Sequence, residues 1–338
     1  VTDPTDRAAR PATVLVTGGA GYIGSHAAWA CLDAGHKVVV LDDLSTGVQA
    51  NVAPGATFVQ ADVADLATVR ATMADHGVDA VMHFAGSIVV PESVSNPGLY
   101  YENNTVKSLG LARLAVERGV KAFIFSSTAA TYAPGDGLPL KEDAPKTPLS
   151  PYGWSKLMTE QMLADLSAAH GLPVGVLRYF NVAGADPLGR TGQSTPNATH
   201  LIKVACQVAT GQRDTLPIFG DDYDTPDGTC VRDYIHVSDL ADAHVLLLDH
   251  LMAGGGNLTA NCGYGRGASV GEVVGVLESL LNHALPVEKR PRRPGDAPSL
   301  IADSDHLRAN LPWVPKHGDL SAIVAAALAW ERKLAARS

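Results

Sequence analysis

From residue 12 onward the chain alternates two hydrophobic rhythms. Short, continuous apolar runs occur in TVLVTGG, KVVVLDD, ATFVQAD, DAVMHFAG, KAFIFSS and PVGVLRYF. Between them lie stretches whose apolar residues recur every three or four positions: YIGSHAAWACLDAG, a segment near 65–75, one from about 99 to 119, and WSKLMTEQMLADLSAAH. The first rhythm predicts strands buried on both faces, and the second predicts helices. Strands alternating with helices predict an α/β fold, a doubly wound parallel sheet joined by right-handed crossovers.

After residue 180 the texture changes. NVAGADPLGRTGQSTPN and FGDDYDTPDGT are rich in Gly, Pro, Asp and Thr, and the helical patterns near 199–210, 239–252, 270–282 and 319–333 are set further apart. Long loops in a compact protein tend to carry function. The expected organisation is a polar leader over 1–11, a first domain over 12–180, and a smaller C-terminal α/β substrate lobe over 181–338. Part of that lobe, near 229–250, is expected to return to the first domain.

Composition narrows the function classes. The chain has 338 residues, is 46% hydrophobic and 18% charged, and carries a formal net charge of -9. That balance excludes a general nucleic-acid binder, which needs surplus Lys and Arg on one face. The basic run EKRPRRPGD at 288–296 is too short to alter this, although Arg292 or Arg293 could meet a small phosphorylated ligand. Cys31, Cys206, Cys230 and Cys262 form no C-x-x-C pair, so neither a metal site nor a disulfide framework is expected. The leader has no apolar core, and no run of 18 uncharged apolar residues occurs. The expectation is a soluble, cytoplasmic protein that does not bind a membrane.

VTGGAGYIG places Gly18, Gly21 and Gly24 at three-residue intervals, and Gly19, Gly21 and Gly24 also satisfy G-x-G-x-x-G. The loop follows a strand, and Tyr22, Ile23 and Gly24 open a helix, the context in which backbone N–H groups meet a pyrophosphate. This is the Rossmann-like arrangement. Asp42 ends the second strand, where a carboxylate accepts both ribose hydroxyls of NAD and repels the extra phosphate of NADP. Asp43 and Leu44 follow it. Asp62, with Val63 after the third strand, has two readings: a contact to the adenine or a helix N-cap.

SPYGWSK raises a further possibility. Pro151 suits a first helical position behind a Ser cap, and Gly171 suits a stop. In the helix between them Tyr152 and Lys156 share one face, one turn apart.

TGGAGYIG, HFAG at 83–86, SST at 126–128 and Y-x-x-x-K together resemble the extended short-chain dehydrogenase/reductase family over almost the whole chain. YENN, RYFNVAGA, VRDYIHVSDLADAH and RRPGD are similar, more narrowly, to its members that epimerise UDP-sugars at carbon 4. The resemblance implies reversible interconversion of UDP-glucose and UDP-galactose with tightly bound NAD, by a homodimer. It implies Thr128, Tyr152 and Lys156 as the catalytic group. It adds Phe84, Ala85, Gly86, Asn104 and Tyr179 to the cofactor residues, and assigns Thr128, Tyr152, Asn181, His200, Leu201, Phe219, Arg232, Arg293, Asp296 and Leu300 to substrate. Arg232 has an alternative as the ion-pair partner of Asp233 or Asp239.

The chemistry supports this independently. Making tyrosine a base at pH 7 requires roughly 4 kcal/mol of phenolate stabilisation. A Lys ammonium about 5 Å away supplies roughly 3 kcal/mol at an effective dielectric near 20, and a positive nicotinamide ring adds more. Tyr152 is expected to take the proton of the sugar 4-hydroxyl while the carbon-4 hydride passes to NAD. The 4-keto sugar then turns about its diphosphate link, and the hydride returns to the opposite face.

Ile88, His200 and Ala133 depart from the usual pattern of the family, where Lys, Asn and Gly are common. Rival readings are an epimerase of other UDP-sugars (N-acetylated hexoses or a pentose), a plain dehydrogenase, and a catalytically silent NAD-binding regulator. A 4,6-dehydratase would need an acidic pair after Thr128, where Ala129 and Ala130 stand.

Overall fold

The computed structural model describes residues 11–133, 139–195, 198–293 and 296–336; residues 1–10 of the expected leader lie outside the described residues. The two rhythms fold as their spacing predicts. β1 (Thr13–Thr17), α1 (Tyr22–Asp33), β2 (Lys37–Asp42), β3 (Thr57–Gln60), α2 (Leu66–Asp75) and β4 (Ala80–His83) come first. The long helix expected at 99–119 is interrupted. After α3 (Val90–Ser95) it runs as α4 (Pro97–Tyr101), a π-helical turn (Glu102–Val106) and α5 (Lys107–Arg118). Next come β5 (Ala122–Thr128), α6 (Pro151–His170) and β6 (Val174–Tyr179). Ser150 caps α6 by accepting from the Gly153 N–H at 3.2 Å, and Gly171, at φ 72°, ends it.

The second half contributes β7 (Asn181–Ala183), α7 (Leu201–Ala209), β8 (Leu216–Phe219), β9 (Val231–Arg232), β10 (Tyr234–His236), α8 (Val237–Met252) and β11 (Leu258–Cys262). It closes with β12 (Ala268–Ser269), α9 (Val270–Leu281), β13 (Val287–Arg290), β14 (Ser299–Leu300), α10 (Asp305–Asn310) and α11 (Leu320–Ala335).

The main sheet has seven parallel strands in the order β11-β6-β5-β4-β1-β2-β3. The fold is α/β, a Rossmann-like doubly wound sheet, with smaller two- and three-stranded sheets in the C-terminal half. Alternation along each strand sorts the core. Val14, Val16, Val38, Val40, Met82 and Ile124 face α1 and α8, while Leu15, Val39, Leu41, Val81, Phe123 and Phe125 face α2, α5 and α6. The seventh strand, β11, comes from residues far beyond 180, and α8 packs on α1 ahead of it. A separate core between α7, α9 and α11 supports the C-terminal lobe.

Candidate active site

The glycine loop is shaped by close contacts. Gly18 has φ 69°, and a Cβ there would lie 2.6 Å from the Ala85 nitrogen; one on Gly24 would lie 2.2 Å from the Gly18 carbonyl oxygen. Larger residues at either position would push the loop off the sheet. No side chain caps α1 at Gly21, and no acidic residue occupies its first turn. An uncapped helix start, with bare backbone before it, fits a dinucleotide's pyrophosphate.

Around this loop the expected cofactor residues divide. Asp42 is buried, accepting from the Ala20 N–H at 2.9 Å and the Leu44 N–H at 2.8 Å, and Leu44 itself sits at φ 62°. Burial pushes the Asp42 carboxyl up, against those backbone donors. Asp43 is exposed and accepts from the Ser45 N–H and hydroxyl. Asp62 pairs with Lys107 at 2.7 Å; burial pushes it up, but the Ala64 N–H and Lys107 outweigh this and hold it low. The cap of α2 is Asp65, accepting from the Thr68 N–H at 3.1 Å, so the N-cap reading of Asp62 is replaced by a residue three further on. Tyr22 crosses to the second lobe, donating to the Gly184 carbonyl at 2.7 Å. Ile23 and Phe84 pack on one face of the main core, Val63 and Ala85 on the other.

The catalytic candidates converge at the ends of β5 and α6. Lys156 is buried, donates to the Ser126 carbonyl at 2.9 Å and lies 4.8 Å from the Phe125 ring centroid. Burial lowers its ammonium to about 8, against the attraction of Glu160. Burial raises the Tyr152 phenol, and the Thr128 side chain opposes the rise. In the protein alone desolvation dominates the phenol and leaves it above its ordinary value, and the expected lowering joins Lys156 with a nicotinamide ring. Tyr100 braces the Tyr152 ring edge-on at 6.3 Å.

Asn104 sits on the π-helical turn and is fully enclosed. Its amide nitrogen donates to the Ser87 carbonyl at 2.9 Å and the Ser155 hydroxyl at 3.0 Å, and its oxygen accepts from the Ser87 N–H at 2.7 Å. It thus ties the loop after β4 to α6. Gly86 on that loop lies beside Lys156, since a Cβ there would be 3.7 Å from the Lys156 Nζ. Tyr179 donates to the Ser126 hydroxyl.

The substrate candidates form two groups. Asn181, His200 and Leu201 line one cavity with Gln193, Lys203 and Glu331. Gln193 bonds to the His200 ring at 2.9 Å, and burial keeps that imidazole low. In the other group the Arg293 guanidinium stacks 3.7 Å above the Phe219 ring, and Arg232 faces Asp296 at 3.6 Å. Asp296, rather than Asp233 or Asp239, is the ionic neighbour of Arg232. Asp233 accepts from the Tyr264, Gly265 and Ala302 N–H groups, and Asp239 from the Tyr264 hydroxyl and the Lys316 and His317 N–H groups. Leu300 and Phe180 each pack against the small cluster of Ala129, Tyr132 and Leu140.

A buried polar network escaped the sequence reading. Glu160 and Arg178 pair at 2.5 Å, Glu160 also accepts from the Ser127 hydroxyl, and Arg178 reaches the Tyr132 hydroxyl at 3.0 Å. The available signal was an arginine inside the otherwise apolar run PVGVLRYF, with an acid one turn beyond Lys156.

Residues 14–263 match the NAD dependent epimerase/dehydratase family. The chain is 59% identical over 330 residues to the UDP-glucose 4-epimerase of Azospirillum brasilense, covering 98% of this chain and 95% of the relative. It superposes on the crystal structure of UDP-glucose 4-epimerase from Brucella ovis in complex with NAD with a TM-score of 0.91, at 45% identity, covering 94% of this chain and 98% of that one. The UDP-glucose 4-epimerase from Bifidobacterium longum in complex with NAD+ and UDP gives a TM-score of 0.90 at 37% identity, covering 95% and 98%.

Proposed function

The chain belongs to the NAD dependent epimerase/dehydratase family, and from that membership we propose that Thr128, Tyr152 and Lys156 are the residues with which it epimerises its substrate. Its activity is that of a UDP-glucose 4-epimerase, an isomerase that works with bound NAD. The observation that carries the residue assignment is the convergence of Tyr152, Thr128 and Lys156 beside the loop that carries Gly86.

Bound NAD would supply the hydride acceptor, and in its reduced form the hydride donor, for the sugar's carbon 4. Gly18, Gly21 and Gly24 would hold its pyrophosphate, with Asp42 selecting against a 2′-phosphate. Tyr152 takes the proton from the 4-hydroxyl and later returns it. Thr128, whose side chain already acts on the Tyr152 phenol, steadies that hydroxyl oxygen. Lys156, fixed by the Ser126 carbonyl, supplies positive charge that favours the phenolate only when Tyr152 ionises. Asn181, His200, Leu201 and Phe219 would line the nucleotide end. Arg232 and Arg293 would meet the diphosphate and Asp296 a ribose hydroxyl, anchoring the keto sugar while it turns.

UDP-glucose and UDP-galactose are the main pair, and Leu300 leaves room for slow turnover of N-acetylated UDP-sugars. The functional unit is a homodimer. Leu99, Val106, Leu109, Trp154 and Met158 expose apolar side chains along α4 to α6, where a two-fold copy of the same face would cover them. Four buried, free cysteines suit a reducing cytoplasm. The domain boundary falls after residue 180, with α8 and β11 of the later half assigned to the NAD-binding domain. Incubation of the purified protein with UDP-galactose, without added cofactor, should yield UDP-glucose; no product from protein carrying NAD overturns the reading.

A further inference from the structure

Glu160 stands one turn beyond Lys156 on α6, so Tyr152, Lys156 and Glu160 follow one another along a single helix face. Its carboxylate accepts from Arg178 through Nε at 2.9 Å and Nη2 at 2.5 Å, and from the Ser127 hydroxyl. Ser127 and Arg178 are register partners across β5 and β6, as are their successors, Thr128 and Tyr179. One carboxylate thus joins the helix carrying Tyr152 and Lys156 to both strands on which Thr128 and Tyr179 end. Arg178 extends the connection through Tyr132 to Asn261 on β11, whose amide oxygen accepts from the Tyr132 hydroxyl at 2.6 Å.

A buried ion pair rarely repays its desolvation as stability alone. Here it lies directly behind the reacting groups, and the groups around Lys156 can be named element by element. They are the Phe125 ring and Ser126 carbonyl on β5, His83 on β4, Asn104 on the π-helical turn, and Tyr152 and Glu160 on α6. Burial keeps His83 neutral, at about 3. Among the described residues, Glu160 is the only carboxylate acting on the Lys156 charge.

We propose that Glu160, locked by Arg178 and Ser127, is a positioning residue of the epimerisation: it holds Lys156 charged and in place behind Tyr152, and sets the strand ends around the sugar. The proposal rests on the assignment of Tyr152 and Lys156 given above. It acts through Lys156, without touching substrate.

The test is Glu160→Gln, which keeps the shape, removes the negative charge one turn beyond Lys156 and leaves Arg178 unbalanced. The expected result with UDP-galactose is a fall in kcat of roughly 10- to 100-fold with little change in KM, since the loss falls on the reacting state. The alkaline limb of the kcat–pH profile should also move to lower pH by about one unit, because an ammonium without its carboxylate loses its proton more readily. A folded variant with a wild-type kcat overturns the proposal, and so does a reduced kcat with an unmoved limb, the signature of a purely structural role. If Glu160→Gln does not fold, Ser127→Ala decides. It removes one arm of the lock and should lower kcat by about 3- to 10-fold with the same direction of limb shift; an unchanged profile there overturns the proposal equally. Tyr152→Phe, run in parallel, separates the two ideas. Full activity in that variant removes the underlying assignment, whereas its inactivity beside a normal Glu160 variant removes only the role of Glu160.

Discussion

Leu300 on β14 lies in register with Arg232 on β9, and its side chain packs against the cluster of Ala129, Tyr132 and Leu140, whose first member follows Thr128. One short strand pair therefore carries both a proposed diphosphate contact and a wall next to the reacting sugar. Leu300→Tyr should abolish turnover of UDP-GlcNAc and UDP-GalNAc while sparing UDP-glucose and UDP-galactose, because the ring occupies the space an acetamido group needs. Product analysis at high enzyme concentration checks this, and a wild type inert toward both N-acetylated sugars removes the premise.

Tyr152→Phe deletes one hydroxyl from a side chain already braced by Tyr100. The variant should fold and retain NAD, yet lose at least ~100-fold in kcat, the usual scale for a general acid–base group. Turnover close to that of the unaltered enzyme is the contrary result.

Asp42 is held by two backbone N–H groups, so its removal disturbs the loop as well as the ribose site. Asp42→Asn, the milder change, should reduce the NAD that co-purifies and narrow the preference over NADP. Cofactor extraction followed by mass spectrometry measures both; an unaltered NAD:NADP preference would show that selection lies elsewhere.

Burial holds His26 and His244 at about 4 and His83 at about 3. The unfolded chain binds these protons near 6.5, so the full stability is present above 6.5 and is lost as pH falls from there toward the folded values. The expected slope is about 1.4 kcal/mol per pH unit for each histidine within that window. Urea midpoints at pH 7.5, 6 and 5 should fall steadily, and His244→Phe should flatten the fall; an identical slope in that variant argues against the assignment.

Trp154 and Met158 lie one turn apart on α6 with their apolar surfaces exposed. Trp154→Glu should convert a dimer to a monomer in sedimentation velocity. A monomeric wild type, or an unaffected dimer in the variant, moves the interface off this face.

Much of the first half was legible because its signals are local. Strand and helix periods, the Ser150 cap and the Gly171 stop each depend on a few neighbouring residues, and all appear in the structure. The break at Glu102–Val106 was not readable from apolar period alone, since Asn104 earns its place through Ser87 and Ser155, far away in sequence. Asp62 illustrates the same limit: the acid three residues further on caps α2, and Lys107 on a later helix engages Asp62. The motif residues Thr128, Tyr152 and Lys156 do come together, but Glu160, Arg178 and Ser127 carry no spacing signature. Their pairing exists only once β5, β6 and α6 are assembled.

The order of synthesis gives the seventh strand another meaning. Until Leu258–Cys262 has left the ribosome, β6 (Val174–Tyr179) remains an open edge of bare N–H and C=O groups. Asn261, which receives the Tyr132 hydroxyl, is missing for the same interval. The nascent first half is thus a sheet awaiting its own later sequence, exposed to pairing with other chains. A fragment ending near residue 180 should accordingly aggregate, and the interval between translating Tyr179 and Cys262 is when the chain most needs a chaperone.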